Sequence, residues 1–437
     1  MEQTPTTAYT PDNSQQTLTD EKIKNLSVAR PDRHIWGIYI ALVMVSLVEL
    51  YSASSREISM SGALGIYGPL VRHMGMLSIG LAIMLVLQRI HYRRFLKWIP
   101  LFAFVSLVMM LFMLKFGDVV NGARRSISAF GFQIQPSEFL KLSAAAMIAL
   151  VMALNQQKGS VRQAGIWISL GIVGLFTVLL MPQGLTNTLL LLAISGSMMV
   201  VSGVPIKKMA LAVAALIAVV AALYGIHLMA IHFGGEGFLG RLDVWMGRLG
   251  QFFDPSGIPD YEKPIDSKNA QEMYGYMAQA HGGIFGVGPG NSREVARLPL
   301  AFSDYIYSII VEETGLIGGL VVLAAYLWLL ARASAIASKC YRAFPALLVI
   351  AMALVIVYQA LFHIAIVVGA FPVSGQPLPL ISKGGTSILI TSIAFGVMLS
   401  VSRYAVRTGD GNQRKDINLE LEILPEEARA ENPSQLD

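Results

Sequence analysis

Long apolar runs separated by shorter polar segments dominate the chain. Ten runs are long enough to cross roughly 30 Å of hydrocarbon as α-helices. They lie near residues 34–53, 71–89, 95–116, 137–155, 165–181, 187–203, 209–230, 305–331, 344–370 and 384–402, with Pro182-Gln183-Gly184 separating the fifth run from the sixth. This pattern predicts an all-α integral membrane protein with about ten transmembrane helices.

Basic residues concentrate in alternate polar segments. Cytoplasmic loops of membrane proteins are enriched in Lys and Arg, so this alternation predicts the orientation. The basic segments hold Lys22, Lys24, Arg30, Arg33, Arg89, Arg93, Arg94, Lys97, Lys158, Arg162, Lys207, Lys208, Arg332, Lys339, Arg342, Arg403 and Arg407. Both termini are therefore expected in the cytoplasm. Three regions follow: a disordered tail at 1–33, a membrane domain at 34–403 and an acidic disordered tail at 404–437.

Composition supports the same class. The 437 residues are 54% hydrophobic and 14% charged, with a mean hydropathy of +0.58, which excludes a soluble globular protein. The net charge of +5 follows from the cytoplasmic loops and does not indicate a nucleic-acid partner. The single cysteine, Cys340, excludes an intrachain disulfide. The first thirty residues contain no apolar region of a cleaved signal peptide.

Two connections on the outer side are too long to be simple turns. One covers residues 117–136, and the other is the large loop at 231–304. Loops of such length are usually functional. Within the second, residues 242–253 have amphipathic helical spacing and are predicted to lie in the membrane interface.

Asp304 is the first candidate for chemistry. It ends a glycine-dense run (residues 281–304) and directly precedes an apolar helix. One interpretation is helix capping, in which Ser303 or Asp304 accepts backbone N–H bonds. The other is a half-desolvated carboxylate that acts as a general base or a metal anchor toward a bound sugar. Ser303 could cap while Asp304 faces a cavity.

Other ionisable residues lie within the apolar runs. Such residues are costly in a membrane and are usually paired toward the bundle interior. Glu138 and Lys141 are three apart, so an intrahelical pair and a functional role are both open, as they are for Glu312 and Glu313. Glu49 is predicted to be only an interfacial residue.

Several arginines lie on the outer side, where the charge bias disfavours them. About half are expected to be ordinary solvated residues, and one or two could bind a pyrophosphate. They are Arg124, Arg125, Arg241, Arg248, Arg293 and Arg297. The last outer loop, FPVSGQPLPLISKGGTS at 371–387, is predicted to be non-helical backbone that lines a cavity, or else a tight re-entrant turn.

Three motifs occur in order on this pattern: NGARR…QPSEFLKL, GGIFGVGPGNS…LP…SDYIYSIIVEETGLIGG and FPVSGQPLPLISKGGTS. Together they resemble the shape, elongation, division and sporulation (SEDS) family of peptidoglycan glycosyltransferases, from about residue 35 to 405. The form GVGPGNS followed by LP is more similar to the division members than to the elongation members.

The resemblance implies polymerisation of lipid II at the outer face of the bacterial plasma membrane, with release of undecaprenyl pyrophosphate. It places the essential acid on Asp304, which could also hold a divalent cation (Mg or Mn), and it implies no organic cofactor. The implied partners are lipid II, the nascent glycan strand, a class B penicillin-binding protein and other membrane proteins of the division machinery at the septum. The residues implied to bind substrate are Arg124, Arg125, Glu138, Lys141, Arg241, Gln271, Asn291, Ser292, Ser382 and Lys383.

The chain also departs from the family pattern. Ser126, Gln183, Leu300, Phe302, His363 and Lys383 stand where the family usually has other residues. These departures leave a retuned or weakened polymerase open. Two other functions also remain open: a lipid II flippase, with the intramembrane charges along its path, and a non-catalytic scaffold that activates a penicillin-binding protein. An elongation role is the alternative to division.

Overall fold

The computed structural model describes residues 30–57, 67–120, 123–129, 132–157, 160–232, 245–248, 250, 252–253, 264–266, 269–298 and 302–405. The predicted tails at 1–33 and 404–437 lie almost entirely outside these residues, as do Arg241 and Leu300.

Each of the ten predicted spans corresponds to one helix. These helices are α1 (Arg33–Glu57), α2 (Tyr67–Leu87), α3 (Phe95–Phe116), α4 (Pro136–Leu154), α5 (Gln163–Leu180), α6 (Leu185–Val201), α7 (Ile206–His232), α9 (Ile306–Ala337), α10 (Ala343–Val367) and α11 (Gly385–Tyr404). Among the described residues, seven helices are long and apolar enough to cross a membrane, and two shorter apolar helices lie at Val71–Leu87 and Leu185–Val201. The prediction of a helical membrane protein is confirmed.

Helices α4, α10 and α11 form the centre of the bundle and are buried along most of their length. Helix α10 packs against α9, α4 and α11, while α2 packs along α11 and α3 along α4. Helices α3, α5 and α9 expose large apolar side chains, including Phe104, Trp167 and Val321. Such exposure fits contact with lipid rather than with water.

The two long outer connections contain structure that hydropathy does not predict. Residues 117–136 form a three-stranded antiparallel sheet of β1 (Asp118–Val120), β2 (Ala123–Ala129) and β3 (Phe132–Ile134). The large loop contains helix α8 (Ala270–Gly282), which packs against α9. Residues 245–248 are helical, within the predicted amphipathic segment at 242–253. A small hairpin of β4 (Gln156–Gln157) and β5 (Ser160–Val161) joins α4 to α5.

Helix α9 is broken at Gly315, where φ is 74° and ψ is −179°. At this break, backbone groups of α9 form hydrogen bonds with the glycine-dense run instead of within the helix. Val287 N and Gly288 N donate to the carbonyls of Glu312 and Glu313 at 3.0 and 2.9 Å. In return, Leu316 N donates to Gly283 O at 2.9 Å. A positive φ favours glycine, so the glycines here allow loop and helix to exchange backbone bonds.

Candidate active site

Asp304 lies in a turn at residues 302–304 that leads into α9. Its Oδ1 accepts a hydrogen bond from Ser303 Oγ at 2.8 Å. The N-cap residue of α9 is Tyr305, and no side chain forms a capping bond there. The capping interpretation is therefore wrong for both Ser303 and Asp304, and the Asp304 carboxylate remains available for another role.

The last outer loop holds this turn in place. Ser382 Oγ donates to Ser303 O at 2.8 Å, and Lys383 N donates to Phe302 O at 2.8 Å. Leu380, in the same loop, has a φ of 64°, which a leucine adopts only where its surroundings impose it. Of the predicted non-helical loop at 371–387, residues 371–384 are non-helical, whereas residues 385–387 form the first turn of α11. Ser382 and Lys383 contact the turn that bears Asp304 and thereby position it.

Gly375 brings this loop directly against the acid. A β-carbon built on Gly375 would lie 2.7 Å from Asp304 Oδ2, closer than a side chain tolerates. Gly375 also lines a cleft of about 460 Å³, counting its open mouth. The carboxylate therefore adjoins this cleft.

The cleft is polar and collects residues from five parts of the chain. Its wall is formed by the sheet and the start of α4, the break before α6, the large outer loop and the last outer loop. The residues are Arg125, Gln135, Ser137, Glu138, Gln183, Gly184, Leu185, Thr186, Asn187, Arg248, Ser374, Gly375, Gln376 and Pro377. Two guanidinium groups and many amides suit a ligand that carries both negative charge and hydroxyl or amide groups.

Two opposing effects act on the pKa of Asp304. Burial raises it above the ordinary range of an aspartate, and this effect is the largest. The hydrogen bond from Ser303 and the positive charge of Arg125 lower it. The net result is a raised pKa, which suits a carboxylate that must take a proton from a weakly acidic group.

Glu138 and Lys141 form an ion pair at the start of α4. Lys141 Nζ donates to Glu138 Oε1 at 2.8 Å, and both side chains are buried. The intrahelical pair is therefore confirmed, although Glu138 also lines the cleft. Glu138 lies in the first turn of α4, where the helix dipole favours an acid.

Three other predicted site residues, Arg124, Gln271 and Asn291, do not line the cleft. Arg124 is exposed, and its guanidinium donates to Leu114 O at 3.1 Å and to Lys115 O, so it holds the end of α3 and does not face the cleft. Asn291 is exposed and donates to Val287 O. Gln271 is half-buried in α8 and is not among the residues that line the cleft. The prediction that Arg124 faces the site is therefore wrong.

A separate cluster surrounds Glu312 and Glu313. Ser292 Oγ donates to Glu312 Oε2 at 2.5 Å, and Arg293 N donates to Glu312 Oε1 at 2.8 Å. Ser52 of α1 donates to Glu313 and accepts from Gly290 N. Glu312 lies eight residues beyond Asp304, about 12 Å along a helix at 1.5 Å per residue. Ser292 therefore fastens the glycine-dense run to α9, at a distance from the cleft.

Glu49 was predicted to be only interfacial, and this prediction is wrong. Its side chain is 2% exposed, and its carboxylate interacts electrostatically with that of Glu313. The prediction used only the place of Glu49 near the outer end of an apolar run. The burial of Glu49 depends on packing near Glu313 of α9, which lies 264 residues later in the chain.

Sequence reasoning did not name Gln183, Asn187 and Gln376 of the cleft as binding residues. The available signals were polar side chains beside helix breaks, at Pro182-Gln183-Gly184 and within the proline-rich last loop. Arg248 was one of the six outer arginines of which one or two were predicted to bind a pyrophosphate, and it lines the cleft, where its Nη1 donates to Val373 O at 3.2 Å.

No group of three or more His, Cys, Asp or Glu side chains in the described part of the chain could hold a metal ion. The Asp304 carboxylate, against Gly375 at the edge of the cleft, accepts a hydrogen bond from Ser303 and none from a cationic side chain among the described residues. Mg²⁺ is commonly bound by one or two carboxylates together with substrate phosphates. The residues therefore fit a cation shared with a phosphate group, and do not fit a site built from protein alone.

Comparison with known proteins agrees with the motifs. Residues 32–407 match the family FTSW_RODA_SPOVE, described as "Cell cycle protein". The probable peptidoglycan glycosyltransferase FtsW of Enterococcus hirae is 32% identical over 385 residues, covering 85% of this chain and 92% of the relative. Peptidoglycan glycosyltransferase MrdB of Escherichia coli K12 is 27% identical over 370 residues, covering 83% and 91%.

Solved structures share the fold. A chain from the structure titled "Structural coordination of polymerization and crosslinking by a peptidoglycan synthase complex" has a TM-score of 0.63 at 24% identity, covering 85% of this chain and 97% of that one. The rod shape determining protein RodA of Thermus thermophilus has a TM-score of 0.56 at 21% identity, covering 87% and 98%. Because the family match spans residues 32–407 and a relative is 32% identical over 85% of the chain, the chain belongs to the FtsW/RodA/SpoVE family of cell cycle proteins, the SEDS family.

Proposed function

We propose that this protein is a peptidoglycan glycosyltransferase that polymerises lipid II at the outer face of the plasma membrane. One observation carries the proposal. A desolvated carboxylate, Asp304, adjoins a polar cleft beside the guanidinium of Arg125. The relatives named peptidoglycan glycosyltransferases align over more than four-fifths of the chain.

The arrangement supports an inverting transfer. Asp304 takes the proton of the acceptor sugar hydroxyl as that oxygen attacks the anomeric carbon of the donor. A new C–O glycosidic bond forms, and the bond from the anomeric carbon to the pyrophosphate oxygen breaks. The electron pair leaves with undecaprenyl pyrophosphate, whose charge the guanidinium groups of Arg125 and Arg248 neutralise. The raised pKa of Asp304 suits the proton transfer.

A divalent cation (Mg²⁺ or Mn²⁺) is part of the proposal in a limited form. Asp304 and the substrate pyrophosphate would hold it together, and it would add positive charge near the leaving group. The protein residues would still orient the sugars and accept the proton.

The flippase alternative requires charges along a path through the membrane. Three of the buried charged groups are instead engaged locally: Glu138 with Lys141, and Glu312 with Ser292 and Arg293 N. Such engagement suits fixed structural roles better than a moving cargo, so the geometry favours transferase over flippase.

We further propose that the protein acts in division, at the septum, with a class B penicillin-binding protein and other membrane proteins of the division machinery. Support comes from the GVGPGNS…LP motif and from the 32% identity to an FtsW, against 27% to MrdB. Depletion should then give filaments with unfinished septa. Rounded cells that still divide would indicate elongation instead.

Purified protein incubated with lipid II, with and without its cognate penicillin-binding protein, tests the activity. We expect glycan polymer on a gel, and undecaprenyl pyrophosphate in matching amount. A scaffold would yield no polymer in either mixture when the partner's own active site is blocked. A flippase would move labelled lipid II across vesicle membranes without polymer.

A further inference from the structure

Gln376, a residue of the cleft wall, has a buried side-chain acceptor without a donor among the described residues. It follows Gly375, lines the cleft, and its side chain is only 4% exposed. Its Nε2 donates to Asn187 Oδ1 at 3.1 Å, whereas its Oε1 has no donor among the described residues. A buried carbonyl without a donor is destabilising, so a ligand that supplies one binds favourably.

The neighbouring contacts fix the direction of this amide. His363 Nδ1 donates to Gln376 O at 2.6 Å, and Gln376 N donates to Ser374 O at 3.1 Å. Gln359 Nε2 holds the next residue through Pro377 O at 3.3 Å. With its backbone held and one Nε2 hydrogen donated to Asn187, the direction of the Gln376 amide is fixed, and its Oε1 is the acceptor that lacks a donor among the described residues.

An acceptor cannot bind the pyrophosphate of a donor lipid, because ionised phosphate oxygens are acceptors themselves. Arg125 and Arg248, on the same cleft, have the matching chemistry for phosphate. A sugar hydroxyl can both donate and accept, and so can pair with many groups. The amide N–H of an N-acetyl group donates only, and matches a fixed acceptor best.

The position of Gln376 also suits a reacting sugar. Consecutive Cα atoms are about 3.8 Å apart, and a β-carbon on Gly375 would touch Asp304 Oδ2. A sugar held by Gln376 is therefore held beside the carboxylate that takes the proton.

We propose that Gln376 determines specificity by accepting a hydrogen bond, through Oε1, from the acetamido N–H of an N-acetylated sugar. The substrate identity rests on the proposed function; the new element is the residue that selects the acetamido group. Gln376 binds and orients, while Asp304 acts on the proton.

The test compares lipid II with an analogue whose acetamido N–H groups are replaced by ester oxygens. Binding and kcat/KM are both measured with purified protein in nanodiscs. We expect the wild-type protein to prefer natural lipid II by about tenfold, the worth of one hydrogen bond. In Gln376→Leu the ratio of kcat/KM for natural lipid II to that for the ester analogue should fall to about one. The change should come from a higher KM for natural lipid II, with kcat little changed. Gln376→Met fills the same space with a flexible side chain and should show the same loss of preference as Gln376→Leu.

Gln88→Leu is the matched control. Gln88 is a buried glutamine that accepts from Trp36 Nε1 at 3.2 Å, far from the cleft. This variant should keep the wild-type preference. A folded Gln376→Leu or Gln376→Met that keeps the preference overturns the proposal, as does a wild-type protein that binds both lipids equally. Binding preference without polymer would instead reject the transferase function and retain the Gln376 assignment.

Discussion

Gly375 and Asp304 are in direct contact: a β-carbon on Gly375 would lie 2.7 Å from Asp304 Oδ2. The contact joins two segments 71 positions apart in sequence. It places the carboxylate at the edge of the cleft and leaves no room for a side chain between them. The geometry of the proposed base therefore depends on the last outer loop as much as on its own turn.

Replacing Gly375 with alanine should displace the Asp304 carboxylate and reduce polymerisation. A shift of about 1 Å at a reacting group can cost on the order of 100-fold in rate. Gly384→Ala is the matched control in the same loop, because its β-carbon would meet neighbours only at 3.5 and 3.7 Å. Initial rates of polymer formation check both variants. Equal rates for the two would show that the close contact does not position Asp304.

Asp304→Asn separates proton transfer from structure. The amide is nearly isosteric and has no useful basicity, so the rate should fall on the order of 100-fold or more. Because Asp304 makes no capping bond, the thermal midpoint should not change. Polymer assays and thermal unfolding are measured on the same preparation. Retention of most activity would mean that another group takes the proton.

Ser303→Ala should shift the pH dependence of the reaction. The base works when deprotonated, so the rate rises with pH through the pKa of Asp304. The Ser303 hydrogen bond lowers that pKa, so its removal raises the pKa and moves the rising limb to higher pH, with little change in the plateau. Ser308→Ala, a buried serine within α9 that accepts from Gln279 Nε2, is the control. An unshifted limb in Ser303→Ala contradicts the assignment of Asp304.

The helices could be predicted from the sequence because lipid demands a long apolar run for every span. All ten spans are helices near their predicted bounds. The sheet at Asp118–Ile134 could not be predicted, since its strands have three, seven and three residues and carry polar side chains. Strands this short depend on tertiary packing more than on local pattern.

The site was predictable only in part. Asp304 stood out because it lies at the junction of a glycine-dense loop and an apolar helix. The proximity of Arg125, Asn187 and Gln376 depends on how β2, α6 and the last loop pack, which no local pattern records. The different positions of Arg124 and Arg125, adjacent in sequence, follow from the alternation of side chains along β2.

Topology can be tested with cysteine, but not with the native residue. Cys340 is fully buried, so its failure to react would not report its side of the membrane. In a Cys340→Ala background, Asp266→Cys and Lys339→Cys place thiols at exposed positions. In right-side-out vesicles, a membrane-impermeant reagent should label Asp266→Cys alone, and both variants after permeabilisation. Labelling of Lys339→Cys before permeabilisation would reverse the orientation and move Asp304 to the cytoplasmic side.

Lys141 and Glu138 test whether a buried pair serves stability or the cleft. Lys141→Met leaves the Glu138 carboxylate buried without its partner, at a cost of about 3–5 kcal/mol. The double variant Glu138→Gln with Lys141→Met removes both charges and should recover most of that stability. Glu138 lines the cleft, so we expect the recovered double variant to polymerise lipid II more slowly than the wild type. Thermal midpoints measure the contribution of the pair to stability, and polymerisation rates measure its contribution to activity. If the double variant is stable and fully active, the pair serves the fold alone, and the sugar contacts of the cleft do not include Glu138.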